Sequence, residues 1–500
     1  MDRGSGILLG ISSLPGPFGI GTMGKDARGF VDRLKDSGQT YWQILPLSPT
    51  GFGDSPYQSF SAFAGNPYFI DFLELFEDNL LPAEGLDLCD RLFEAQGGAV
   101  DYSVQYSGKQ KVLQMSYRYA AGRIAQEIDA FAQRHADWIF DYALFMALKN
   151  AYDMKPFWEW PEALARRDRE ALNVAALRLR EQISYHIFVQ YLFFRQWNAL
   201  RRYANDNGIR IIGDMPIYIA SDSADAWAGR DMLDKQSCMA GCPPDYFSPT
   251  GQLWGNPVYD WDALKKTNYG WWKRRIAHQI SLFDYLRIDH FRGFEAYYEI
   301  PKGAETAEAG QWIKGPGIAF FQQMENELGR LPLIAEDLGY LTPEVFDMLE
   351  ATGYPGLKVL QFAFDPNGNS VYLPHRYERN CVVYTGTHDN DTTQGWYAAL
   401  GDGERAFLDD YLDGVQPERI HWQLIRLAMG SVADVCIIPM QDLLGLPTAA
   451  RMNKPQTAQG NWRWRLTDGQ FASDTAKMLA GLTALYGRTG HERARELSGN

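Results

Sequence analysis

Apolar residues along the chain gather in eight short runs, most of them rich in β-branched side chains. The runs are Gly6–Ile11, Tyr41–Leu47, Ile209–Ile217, Phe283–Ile288, Leu331–Ala335, Leu357–Phe362, Cys381–Thr385 and Val435–Met440. Each reads as a buried strand, apolar on both faces. Amphipathic stretches with helical spacing follow most of them, for example Asp26–Asp36 and Thr342–Ala351. The connection Leu47–Ile209 is too long for a simple crossover, and its best helices are Lys109–Ala132 and Glu162–Asn205. Strands alternating with helices predict an α/β fold, a parallel (β/α)8 TIM barrel over residues 1–500. Two insertions are expected, a mainly helical one at 73–205 and a loop insertion at 221–275. A doubly wound sheet is the alternative. It would usually carry a glycine-rich phosphate turn, and neither G-x-G-x-x-G after a strand nor a Walker loop occurs.

Polar groups follow the apolar part of several runs. Asp214 follows Ile209–Ile212, and Arg287, Asp289 and His290 follow Tyr285-Leu286. Glu336 and Asp337 follow Leu333–Ala335, the Thr387–Asp391 segment with His388 and Asp389 follows Val382–Tyr384, and Asp442 follows Met440. In a barrel these positions share the C-terminal face, where active sites lie. One carboxylate at a strand end is usually a cap or an ion pair. Acidic groups at five strand ends repel one another, so capping alone accounts poorly for them. Convergent carboxylates without a metal suit glycoside chemistry, in which one attacks and another supplies a proton. Arg287 and Asp289 are two apart, and in a strand that spacing puts them on one face. The arginine can then hold the aspartate ionised. Metal hydrolysis is the competing use, but the eight histidines show no H-E-x-x-H and no paired ligand spacing. No metal and no cofactor is expected.

Composition narrows the partners. With 48 basic against 62 acidic residues, the net charge of −14 disfavours nucleic acid and anionic membrane surfaces. Five cysteines, an odd number with one close spacing at Cys238 and Cys242, form no disulfide framework and fit a cytoplasmic protein. The uncharged stretch Gly4–Gly24 holds seven glycines and two prolines, which reads as strand and loop rather than a signal or membrane helix. Oligomeric state is not legible. Aromatic residues crowd two Gly- and Pro-rich loops, Gly51–Phe60 with Tyr57, and Gly241–Pro257 with Tyr246, Phe247 and Trp254. Loops seldom bury so many rings, so an exposed platform for sugar faces is the favoured reading.

Taken in order, these motifs resemble the amylomaltases, 4-α-glucanotransferases of the α-amylase clan. The resemblance runs from Ser13-Leu14-Pro15-Gly16 to Asn461-Trp462-Arg463-Trp464-Arg465. Between them lie Leu45-Pro46-Leu47, the two loops, Arg287–Gly293, Ala335–Gly339 and Thr385–Asp391. It implies a barrel without a separate C-terminal β-domain. It further implies Asp289 as nucleophile, Glu336 as acid/base and Asp389 as the third carboxylate. Asp214, Arg287, His290 and His388 match positions around the reacting sugar, and Tyr57, Asp245, Tyr246, Trp254 and Asn461 match glucan-binding positions. The implied partners are an α-1,4-glucan donor and a glucose or maltooligosaccharide acceptor. A hydrolase of the same clan and a non-catalytic glucan-binding protein are the alternatives.

Overall fold

A computed structural model describes residues 1–51, 53–93, 98–233, 238–244, 248–455, 457 and 459–489. Eight parallel strands form one sheet: β1 Gly4–Leu8, β2 Tyr41–Gln43, β3 Arg210–Met215, β4 Tyr285–Ile288, β5 Leu333–Ala335, β6 Gly356–Val359, β7 Cys381–Tyr384 and β8 Val435–Pro439. They lie in the order β6-β7-β8-β1-β2-β3-β4-β5. The seam between β5 and β6 is closed by other means. The Ala335 N–H donates to the Pro355 carbonyl at 2.9 Å, and the Leu357 N–H donates to Asp337 Oδ1 at 2.6 Å. The result is the (β/α)8 barrel, with helices covering strands whose residues are buried throughout, such as Ile7, Trp42, Leu286, Val382 and Ile437. Glycine is required at position 213 in β3, where a Cβ would fall 2.2 Å from the Phe283 ring. The chain can therefore carry Asp214 past that ring.

Every predicted run overlaps a strand, but the strands are shorter, and β1 and β6 start before their runs. Ile11–Ser13 and Leu360–Phe362 turn into 3-10 helix, and Met440–Leu443 is already helical. After Gln43, Pro46 and Pro49 have no N–H to give a sheet ladder. These departures at the strand C-termini open the cleft. The expected long helices are also divided. Lys109–Ala132 is two helices, Tyr102–Ala120 and Ala125–Arg134, separated at Gly122; the first starts earlier because Asp101 caps Ser103 and Val104. Glu162–Asn205 is three, Glu162–Ala165, Arg169–Arg178 and Arg180–Asp206. Arg167 has φ 61°, which ends the first, and the Asp168 side chain then accepts the N–H groups of Glu170 and Ala171.

A second sheet stands beyond the ends of β3 and β4. Its antiparallel order is Gln252–Pro257, Met239–Cys242, Ala296–Ile300 and Gln311–Lys314. Apolar patterning does not announce these strands, which mix glycine and polar residues with apolar ones. Among the described residues no sheet follows β8, and no helix is long and apolar enough to cross a membrane.

Candidate active site

The C-terminal ends of β3, β4, β5 and β7, with the first residues beyond them, assemble the site. Asp214, inside β3, is buried and receives Arg287 Nη1 on both carboxylate oxygens at 2.7 Å. Arg287 projects from β4, its side chain 4% exposed, and its Nη2 lies 3.0 Å from Asp289 Oδ1. One guanidinium thus bridges two carboxylates from neighbouring strands. Burial opposes its charge, but Asp214 and Asp289 outweigh burial and hold its pKa well above the ordinary arginine value.

Asp289 keeps 29% of its side chain open to the cleft. Glu336 follows β5 and is more enclosed. Its Oε2 accepts the His290 N–H at 2.7 Å and its Oε1 accepts the Leu338 N–H at 3.0 Å. Burial raises both carboxyl groups above their usual range, and Arg287 pulls each part of the way back. His290 itself adopts a left-handed backbone, φ 54°. Burial and then Arg292 push its imidazole down to about 3, so it is neutral at pH 7. Its Nε2 is buried with no hydrogen-bond partner in the protein.

Across the cleft, Tyr57 joins two of these elements. Its hydroxyl donates to Asp214 Oδ2 at 2.8 Å and lies 2.9 Å from His388 Nε2, while its ring stacks on that imidazole at 5.2 Å. Asp389 is 45% exposed, with His388 Nε2 3.5 Å from its Oδ2. Asn453 Nδ2 donates to its Oδ1 at 2.6 Å, and Arg451 Nη2 donates to its main-chain carbonyl at 2.6 Å. Asn453 and Arg451 lie in a loop far from any strand end, and no spacing signal in the sequence singles them out.

The two aromatic loops meet. Gln58 Nε2 donates to the Trp254 carbonyl at 3.0 Å and to Asn256 Oδ1 at 2.8 Å. The Trp254 ring stands edge-on to His290, centroids 4.9 Å apart. Asn461 is bonded to Lys454 and Thr457 in its own loop rather than to the carboxylates. Its neighbour Trp462 is the ring that packs against Tyr57 and His388. Asp245 and Tyr246 lie outside the described residues. Other strand-end acids serve the scaffold: Asp337 closes the barrel seam, Asp442 accepts the Thr385 hydroxyl and the Thr393 N–H, and Asp391 accepts the Thr448 hydroxyl. Among the described residues no three His, Cys, Asp or Glu side chains come together as metal ligands.

This arrangement has close relatives. A family model described as 4-alpha-glucanotransferase matches residues 9–471. The chain is 47% identical to a 4-alpha-glucanotransferase of Streptococcus pneumoniae serotype 4 over 495 residues, 97% of each chain. It is also 47% identical to that of Thermus thermophilus, covering 96% of this chain and 98% of the other. Among solved structures, amylomaltase from Streptococcus agalactiae in complex with acarbose is 40% identical with a TM-score of 0.93, covering 97% of this chain and 99% of that one. By its sequence, its barrel and its relatives, the chain belongs to the 4-alpha-glucanotransferase family, glycosyltransferases that act on α-1,4-glucans.

Proposed function

We propose that Asp289 is the nucleophile, Glu336 the acid/base and Asp389 the third carboxylate of a retaining double displacement. Asp289 attacks the anomeric carbon of an α-1,4-glucan while Glu336 protonates the departing glycosidic oxygen. The shortened chain leaves, and Glu336 takes the proton from the 4-hydroxyl of a glucose or maltooligosaccharide that attacks the glycosyl-enzyme. The observation that carries this reading is the shared frame of the two groups. The N–H of His290, the residue after Asp289, donates to Glu336, and Arg287 pairs with Asp289. The more enclosed carboxyl holds its proton for donation, and the arginine-paired one stays ionised for attack. Asp214, Tyr57 and His388 bind the donor sugar, Asp389 grips ring hydroxyls, and the unpartnered Nε2 of His290 is available to a hydroxyl. Trp254 and the loops joined by Gln58 shield the intermediate from water. Asp245, Tyr246 and Asn461 are glucan-binding residues in this reading. Residues 73–205 and 221–275 are insertions into one catalytic barrel, and the low cysteine count supports a cytoplasmic location.

Incubation with maltotriose tests the proposal. Glucose together with chains longer than the substrate is the expected product pattern, and glucose with maltose alone would indicate hydrolysis. Asp289→Asn should stop both while the melting temperature holds, because Arg287 keeps Asp214 as its partner.

A further inference from the structure

Tyr340 lies four residues beyond Glu336, past a turn at Gly339 with φ 82°, and it is 68% exposed. A single exposed ring on a loop is ordinary. The support beneath this one is not. Arg292, 3% exposed, donates from Nη1 to the Tyr340 carbonyl at 2.6 Å. Its guanidinium lies 3.6 Å from the Trp312 ring centroid and 5.9 Å from that of Tyr340. Trp312 is in turn packed edge-on against Tyr298 at 5.2 Å, within the antiparallel sheet. The Tyr340 main chain is therefore fixed from below while its ring remains open to solvent. Arg292 also belongs to the turn after Asp289, so one buried residue ties the Tyr340 loop to that turn.

We infer that Tyr340 is an acceptor-binding platform on which the apolar face of an incoming glucose or maltooligosaccharide stacks, and that it favours transfer over hydrolysis. The side of the cleft is set by the chemistry. The leaving chain departs toward the proton donor, and the acceptor returns along the same path to give its 4-hydroxyl proton to the same group. The loop that carries Glu336 therefore flanks the acceptor, whereas Asp214, Tyr57 and His388 hold the donor. A loop whose main chain is fixed before the sugar arrives loses little freedom on binding. The inference rests on Glu336 being the acid/base.

Radiolabelled glucose as acceptor with maltotriose as donor measures the effect. In Tyr340→Ala the KM for glucose should rise about threefold to tenfold, with a smaller change in kcat at saturating glucose. Tyr340→Phe and Tyr340→Trp should keep the low KM, because stacking needs the ring and not the hydroxyl. An unchanged acceptor KM in Tyr340→Ala, or a rise in Tyr340→Phe as large as in Tyr340→Ala, would overturn the inference. A Glu336→Gln variant run beside them separates the two claims. If it retains turnover, the acid/base assignment fails; if it is inactive while Tyr340→Ala has a normal acceptor KM, the platform alone fails.

Discussion

Arg287, on the floor of the cleft, and Tyr340, on the loop after Glu336, differ in almost every respect. Arg287 sits at a strand end, 4% exposed, bonded to two carboxylates. Tyr340 sits on a loop, 68% exposed, and its main-chain carbonyl accepts from Arg292. The floor of the cleft is a charge network centred on Arg287, whose loss would leave Asp214 and Asp289 without their shared cation. The rim is built of rings and main-chain hydrogen bonds, where a substitution leaves nothing charged behind. The difference separates two tasks. In the proposed mechanism the floor governs cleavage of the glycosidic bond, and the rim governs whether water or sugar completes the reaction.

Substitutions along this gradient should have graded effects. Glu336→Gln should lower kcat on maltotriose about 100- to 10,000-fold, the usual range for a lost general acid. Burial raises the Glu336 carboxyl, so the alkaline limb of the wild-type rate should lie above the ordinary glutamate range. The proposed role gives the sign: a general acid must be protonated, and a raised pKa keeps it so to higher pH. In Glu336→Gln that limb should vanish, and a glycosyl fluoride donor, which needs no acid, should recover the first step.

Asn453→Ala probes the junction of floor and rim. Asp389 would lose its 2.6 Å hydrogen bond but, being 45% exposed, would remain solvated. The expected loss in kcat is about tenfold, in line with roughly 1–2 kcal/mol for such a bond, with little change in melting temperature. A loss as large as that of Glu336→Gln would place Asn453 with the floor.

Trp254→Ala should have the smallest effect on overall turnover. The ratio of transfer to hydrolysis should fall a fewfold, since aromatic contacts contribute about 0.5–1.5 kcal/mol beyond area burial and water needs no platform. Chain-length analysis beside glucose release reads the ratio directly. If both rates fall equally and the protein melts earlier, Trp254 only packs its loop.

The same division decides what the sequence reveals. Floor residues sit at the ends of apolar runs, and the two-residue spacing of Arg287 and Asp289 brings them within 3.0 Å. The strand-end pattern does not separate reacting acids from scaffold acids. Asp337 and Asp442 look like Glu336 in the sequence, yet they hold the barrel seam and the segment after β7. Only the partners, a main-chain N–H at a seam or an open cleft, tell them apart. The rim is less legible because loops carry no periodicity. Asn453 reaches Asp389 from 64 positions away, and Gln58 joins two loops by contacts that no local pattern encodes. The helices blurred for a local reason: caps such as Asp168 and a left-handed residue such as Arg167 interrupt amphipathic patterns that otherwise run on.

In the proposed mechanism Asp289 forms the covalent bond to the sugar, and trapping that bond identifies the nucleophile. Glu336→Gln can be charged with an α-maltosyl fluoride, quenched in acid and digested for peptide mass analysis. A glycosyl adduct is expected on the peptide containing Asp289, lost in the Asp289→Asn double variant. An adduct on Asp389 or elsewhere, or fluoride release with no adduct while turnover continues, would contradict it.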